Sequence, residues 1–179
     1  MKTFKVLQAI PAAILIFAAV ATSSAQAHNW TTQDYPADGF SILLPSDPQV
    51  QTQSDPGSGS QMRLYAVNLG QDMLGVQVIR MGAGGWSKAP DAVLQDGKNG
   101  ALAQSKTHLV TEKKIALGSA PGLEFESENE TLHFKARIYI VGKTAYTVVA
   151  AYPIGKPFDH ATEFLDSFKL IAGPSGAQK

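Results

Sequence analysis

The chain contains no cysteine. That removes disulfides, thiol nucleophiles, cysteine-ligated zinc, iron–sulfur clusters and a lipid anchor on a leader cysteine. Neither charge sign is in excess: fifteen basic residues face fifteen acidic ones. A nucleic-acid binder would carry a basic stripe, so this balance argues against nucleic acid as a partner. No glycine-rich loop runs into Gly-Lys-Ser/Thr, and no Gly-x-Ser-x-Gly occurs. The P-loop and the serine-hydrolase elbow therefore have no candidate. Gly82-Ala83-Gly84-Gly85 sits between a strand-like and a helix-like segment, but Ser87 stands where a dinucleotide fingerprint needs its third glycine. That segment reads as a flexible turn.

What the sequence does have begins with an export signal. Lys2 and Lys5 precede the uncharged stretch Val6 to Ala21, and Ala25-Gln26-Ala27 places small residues where a signal peptidase cuts. The apolar stretch is shorter than the roughly 20 residues that span a bilayer, so a cleaved leader (residues 1–27) is preferred to an uncleaved anchor. No twin arginine is present, which favours the general secretory route. The alanine-rich leader looks bacterial, and the expected location is periplasmic or secreted. No second apolar run of spanning length follows. Without the leader, thirteen basic and fifteen acidic residues remain. The mature part has the length of one domain (28–172) and should bury roughly 70% of its unfolded surface. Residues 173–179 read as a disordered polar tail.

Alternation and turn residues then predict strands. Trp30 to Tyr35 and Phe40 to Leu44 flank the turn Pro36-Ala37-Asp38-Gly39, and Pro45 stops the second of them. Residues 54–60, rich in Gly and Ser, read as a loop. Met62 to Leu69 and Leu74 to Met81 form a hairpin around Gly70-Gln71-Asp72. Pro90 to Lys106 is the first helix, with Val93, Leu94, Gly97, Ala101 and Leu102 on one face. Gly97 and Gly100 each cost about 1 kcal/mol against alanine, so this helix must rely on tertiary packing. Four more strands follow: Thr107 to Leu117, Gly122 to Glu128, Thr131 to Val141 and Thr144 to Tyr152. A last helix starts near Pro157, with Phe158, Ala161, Phe164, Leu165 and Phe168 as its apolar stripe.

Two tight turns predict register. A two-residue loop at Asn129-Glu130 sets Phe125 opposite Phe134, Glu124 opposite Lys135 and Glu126 opposite His133. A turn at Gly142-Lys143 places Phe134, Ala136, Ile138, Ile140, Ala145, Thr147, Val149 and Ala151 on one face, and Arg137, Tyr139, Val141, Tyr146, Val148 and Tyr152 on the other. Both faces carry apolar surface that needs a cover. The expected fold is α+β: a central antiparallel sheet with a helix on each face, an α/β/α sandwich. A β-barrel with the last helix outside it is the competing architecture.

Candidate sites are few. Glu124, Glu126 and Glu128 share one strand face and could hold a hard cation, although the register gives them basic neighbours. His133 reads as a partner of Glu126 and His160 as exposed near a helix start; no His-x-x-x-His occurs. Cleavage after Ala27 would make His28 the first residue, whose amine and imidazole suit Cu²⁺. Trp86, Arg137, Tyr139 and Tyr146 could wall a ligand pocket between the sheet and the first helix. Asn29-Trp30-Thr31 and Asn129-Glu130-Thr131 match the glycosylation acceptor, which matters only in a eukaryotic secretory pathway.

One ordered series carries a resemblance: Phe40-Ser41-Ile42-Leu43-Leu44-Pro45, Gly122-Leu123-Glu124-Phe125-Glu126, Arg137-Ile138-Tyr139-Ile140-Val141, Tyr146-Thr147-Val148-Val149, and Phe164-Leu165-Asp166-Ser167-Phe168-Lys169-Leu170. It resembles the PsbP/Mog1-like group of α/β/α sandwich domains, which includes exported bacterial members. The ending, a helix with F-x-D-S-F running into a short strand, is its strongest part. The resemblance implies the fold. It also implies a non-enzymatic role, since named members of the group are binding or assembly factors of photosystem II or partners of a small GTPase; a nuclear GTPase partner is incompatible with an export signal. No functional residue carries over, and no cofactor is implied. The expectation is an exported accessory or binding domain that acts through a protein or envelope partner. A ligand carrier or enzyme with the pocket above is the alternative, and a metal-binding periplasmic protein a weaker one.

Overall fold

The computed structural model describes residues 29–171. The expected leader, His28 and the tail from 173 lie outside them.

Where glycine takes positive φ, the chain reverses. Gly39 closes the turn between β1 (Thr31–Tyr35) and β2 (Phe40–Leu44), with φ +74°. Pro45 then ends β2 as expected, because it has no amide to donate. The next strand, β3 (Gln49–Asp55), was not anticipated: its side chains are mostly exposed and mostly polar, so it carries no apolar alternation to read. Its turn is held by the Asp55 carboxylate, which accepts from the Gly57 amide at 2.9 Å and the Ser58 hydroxyl at 2.7 Å. The loop expected from residue 54 thus shrinks to the turn after Asp55. β4 (Ser60–Leu69) and β5 (Asp72–Arg80) form the expected hairpin, but its turn is Gly70-Gln71 alone: Asp72, expected in the turn, is the first residue of β5 and pairs with Leu69.

Helix α1 (Pro90–Ser105) opens on proline, whose missing amide costs nothing at that position. Gly97 has a reason to be there: a Cβ would come 3.2 Å from Ile138 Cδ1, so the glycine lets the helix lie close on the sheet. Strands β6 (His108–Leu117), β7 (Ala120–Glu128), β8 (Leu132–Val141) and β9 (Thr144–Pro153) follow where expected. Helix α2 (His160–Ser167) starts a few residues later than Pro157 and leads into β10 (Lys169–Leu170). Among the described residues, no helix is long and apolar enough to cross a membrane.

The main sheet has seven antiparallel strands in the order β3-β4-β5-β9-β8-β7-β6, and β1-β2-β10 form a second, small sheet. One face of the main sheet packs against α1, with Leu94 set among Leu123, Phe125, Phe134, Ala136 and Ile138. The other face carries Tyr65, Val76, Tyr139, Tyr146 and Val148. It is covered by α2 (Ala161, Phe164, Leu165) together with Phe40, Ile42 and Leu44 of the small sheet. The α/β/α sandwich is the observed architecture. The addition is that the small sheet shares the second roof with α2.

The β8–β9 register matches expectation, with Phe134 opposite Ala151 and Val141 opposite Thr144. The β7–β8 register does not. Phe125 faces Ala136, Phe134 faces Ser127, Glu124 faces Arg137, Glu126 faces Lys135 and Glu128 faces His133. The cause is Asn129. Its side-chain oxygen accepts from the Thr131 amide (3.0 Å), the Leu132 amide (2.9 Å) and the Thr131 hydroxyl (3.1 Å), while its own amide donates to the Leu132 carbonyl at 3.0 Å. This Asx-type turn makes the loop longer than two residues. The resulting shift is two places, and an even shift leaves every side chain on its expected face.

Candidate functional site

The turn between β1 and β2 points Asp38 from the small sheet toward the main one, and its side chain is 5% exposed. Backbone bonds from the Asp38 and Gly39 amides to the Tyr35 carbonyl (3.0 and 2.9 Å) fix the turn. A side chain at Gly39 would be strained by its φ, and its Cβ would sit in contact with the Tyr146 hydroxyl at 3.4 Å. On the main sheet, Gln61 pairs with Arg80 and Arg63 with Val78, so the two arginines are diagonal neighbours on one face. Both turn to Asp38: Arg63 Nη1 donates to Oδ2 at 2.8 Å, and Arg80 Nη2 lies 3.4 Å from Oδ1. The Tyr65 hydroxyl also donates to Oδ2, at 2.5 Å, and the Tyr146 hydroxyl donates to the Asp38 carbonyl at 2.7 Å.

Burial, with the Asp38 hydrogen bond second, pushes the Tyr65 hydroxyl up to about 12, so it stays a donor. Arg63 is held above its ordinary value, chiefly by hydrogen bonding to Tyr65 and then by Asp38, against the cost of burial. Above this cluster is a small open hollow lined by Asp38, Thr52, Gln61, Arg63, Val78 and Arg80. Two guanidiniums meet one carboxylate there, leaving a formal charge of +1. Arg63 and Arg80 keep 34% and 45% of their side chains exposed. Chemically, the hollow can take a small anion.

The four residues expected to wall a pocket do not line one space. Trp86 lies on the α1 side, donating Nε1–H to the Gly142 carbonyl at 3.1 Å. Tyr139 and Tyr146 lie on the opposite side, against the ring of Phe168 at 5.8 and 5.6 Å. Arg137 donates to Glu124 Oε2 and Asp166 Oδ1, each at 2.6 Å. Burial favours neither charge of that pair. Hydrogen bonds from Lys113 and Arg137 nevertheless hold the Glu124 carboxyl below its usual range, and those to Glu124 and Asp166 hold Arg137 above its own. Of the four, only Tyr146 reaches the Asp38 cluster.

The glutamate row does share one face of β7, and basic side chains occupy it. Glu124 meets Lys113 at 2.8 Å as well as Arg137. Glu126 lies 3.4 Å from both Lys135 and His133, and Glu128 lies 3.4 Å from both His108 and His133. Among the described residues, no group of three or more His, Asp and Glu side chains is arranged to hold a metal ion. His28, the copper candidate, lies outside them. His160 stacks on Trp30 (4.7 Å) and pairs with Glu163 at 2.9 Å.

Sequence reasoning missed Asp38, Arg63 and Arg80. Part of the signal was available: the β4–β5 hairpin puts two like charges diagonally on one face, where a nearby anion would relieve their repulsion. Nothing local indicates that the anion comes from a turn in another sheet.

No family model matches the sequence, and no curated protein matches it either. Solved structures do. The chain is similar to cyanobacterial PsbP (CyanoP) from Synechocystis sp. PCC 6803, with a TM-score of 0.51 and 11% identity, over 84% of this chain and 97% of that one. It is also similar to LpqN of Mycobacterium tuberculosis, a protein described as involved in cell envelope biogenesis. That likeness has a TM-score of 0.45 and 10% identity, over 80% of this chain and 91% of that one. At 11% identity the first likeness is one of fold: this is a PsbP-like α+β sandwich.

Proposed function

We propose that this PsbP-like domain is an exported, non-enzymatic accessory or binding protein that works through a protein partner in the cell envelope. The leader-like start supports export, with Lys2 and Lys5 ahead of Val6 to Ala21 and the Ala25-Gln26-Ala27 site. The observation that carries the binding role is at the edge of the main sheet. Among the described residues β3 pairs only with β4, its side chains are mostly exposed, and Val50 in it is 52% exposed. A strand edge whose one charge lies at its last residue, Asp55, is a template for another chain. The interior polar groups favour the same reading: Trp86, Tyr146, Arg137 and Glu124 are all hydrogen-bonded to the protein itself.

Affinity capture tests it. The tagged protein, expressed and crosslinked in its own cells, should enrich one envelope protein, and tagging that protein should recover this one. Fractionation that leaves it in the cytoplasm would overturn the localisation. Saturable turnover by the purified protein in a broad hydrolase screen would overturn the non-enzymatic role.

A further inference from the structure

We infer that the β3 edge and the neighbouring arginine hollow together bind an extended acidic segment of the partner, the added strand pairing with β3 and one carboxylate reaching Arg63 and Arg80. This rests on the partner reading above and names the partner's chemistry.

The two ends of the main sheet are built differently. β6, at one end, carries a bulge between Leu109 and Thr111, and its Lys113 and Lys114 are tied to Glu124 and Asp91. Bulges and lysines are the usual means of keeping other strands off an edge. β3, at the other end, pairs with β4 in unbroken register from Gln49 to Asp55, contains no lysine or proline, and has its single charge at its last residue. It is the open end.

The hollow adjoins that end. On its face the rows run Val78, Arg63, Thr52 and Arg80, Gln61, Ser54 from β5 outward to β3. An incoming strand would lie about 4.8 Å beyond Thr52 and Ser54. A glutamate on it, pointing to this face, would extend over Thr52 toward the exposed parts of the guanidiniums. Each guanidinium has five N–H donors, and Asp38 and the Ala37 carbonyl use only a few of them. The net charge of +1 matches one carboxylate better than a phosphate dianion.

The probe is a short fluorescent peptide of alternating threonine and glutamate, with its threonine–glutamine counterpart as the neutral control, read by anisotropy on the purified protein. The glutamate peptide should bind about tenfold or more tighter than the glutamine one, as a hydrogen bond to a charged group implies, and more weakly as salt rises. Arg80→Gln should abolish that preference. Arg80 holds Asp38 only at 3.4 Å, so this variant is expected to fold. Arg63→Lys, which keeps the charge beside Asp38 but loses the fork, is the second variant and should lose most of the preference. Equal binding of the two peptides, an unchanged preference in folded variants, or competition by inorganic phosphate stronger than by acetate would each overturn the inference. If Arg80→Gln loses peptide selectivity and also loses the captured envelope protein, the inference holds in the cell. If capture is intact in Arg80→Gln and the peptides fail, the inference falls while the partner reading stands.

Discussion

Arg137 is where three elements meet: it sits on β8, bonds Glu124 on β7 and reaches Asp166 at the end of α2. Glu124 is 9% exposed at its side chain, so this is an inward pair, whereas Asp166 is 59% exposed and screened by water. The folded Glu124 carboxyl holds its proton less tightly than the ordinary value of 4.5. Its stabilisation is therefore complete above that value and is lost as pH falls through the lower folded one, because the unfolded chain then binds the proton first. Urea unfolding followed across the acid range should show this decline, and Glu124→Gln should flatten it while costing about 1–3 kcal/mol near neutrality. Glycines give a second test at this scale. A Cβ at Gly122 would meet Tyr139 Cδ1 at 2.6 Å and the Ile138 carbonyl oxygen at 2.8 Å, whereas one at Gly100 meets nothing within 4 Å. Gly122→Ala should lose about 1–3 kcal/mol by overpacking. Gly100→Ala, in the interior of α1, should gain about 0.5–1 kcal/mol. Thermal unfolding of the two variants should move in opposite directions.

Elements differ in how much of them the chain announces locally. α2 was legible from its apolar stripe, and Phe164 and Leu165 are indeed buried at 0% and 1% exposure. Phe164→Ala should cost about 3–5 kcal/mol, the range for removing a buried aromatic ring, measured by denaturant unfolding. β7 and β8 were legible as strands but not in register, because a side-chain hydrogen bond from Asn129, not strand alternation, sets the loop length. Asn129→Ala should remove that constraint at a cost of about 1 kcal/mol. A crosslink or NMR contact between β7 and β8 would then report whether Phe125 still faces Ala136. β3 was not legible: a strand with no buried face has no period to betray it.

Across the whole molecule, the second face of the main sheet is closed by rings drawn from distant parts of the chain. Tyr35 and Tyr65 lie 4.5 Å apart there, and Phe40 touches both. Burial, assisted by their mutual proximity for Tyr35 and by Asp38 for Tyr65, raises both hydroxyls to about 12 from 10.0. The folded state keeps these protons where the unfolded chain releases them. Stability should thus hold below 10.0 and fall as pH rises toward 12. A tyrosinate absorbance titration should show all five tyrosines ionising above their ordinary range, Tyr139, Tyr146 and Tyr152 also being raised by burial, with release coinciding with loss of tertiary signal; Tyr65→Phe should remove one of the late-ionising groups. Alternation, turn residues and helical stripes are properties of short stretches of chain. From them follow the four consecutive hairpin strands, both helices, and the assignment of Phe125, Phe134, Tyr139 and Tyr146 to greasy faces. The seating of a small second sheet beside α2, the choice of Arg137 over Lys135 as the partner of Glu124, and the gathering of Asp38, Arg63, Arg80 and Tyr146 into one cluster depend on long-range packing. Which charge meets which is settled only when layers far apart in sequence are pressed together.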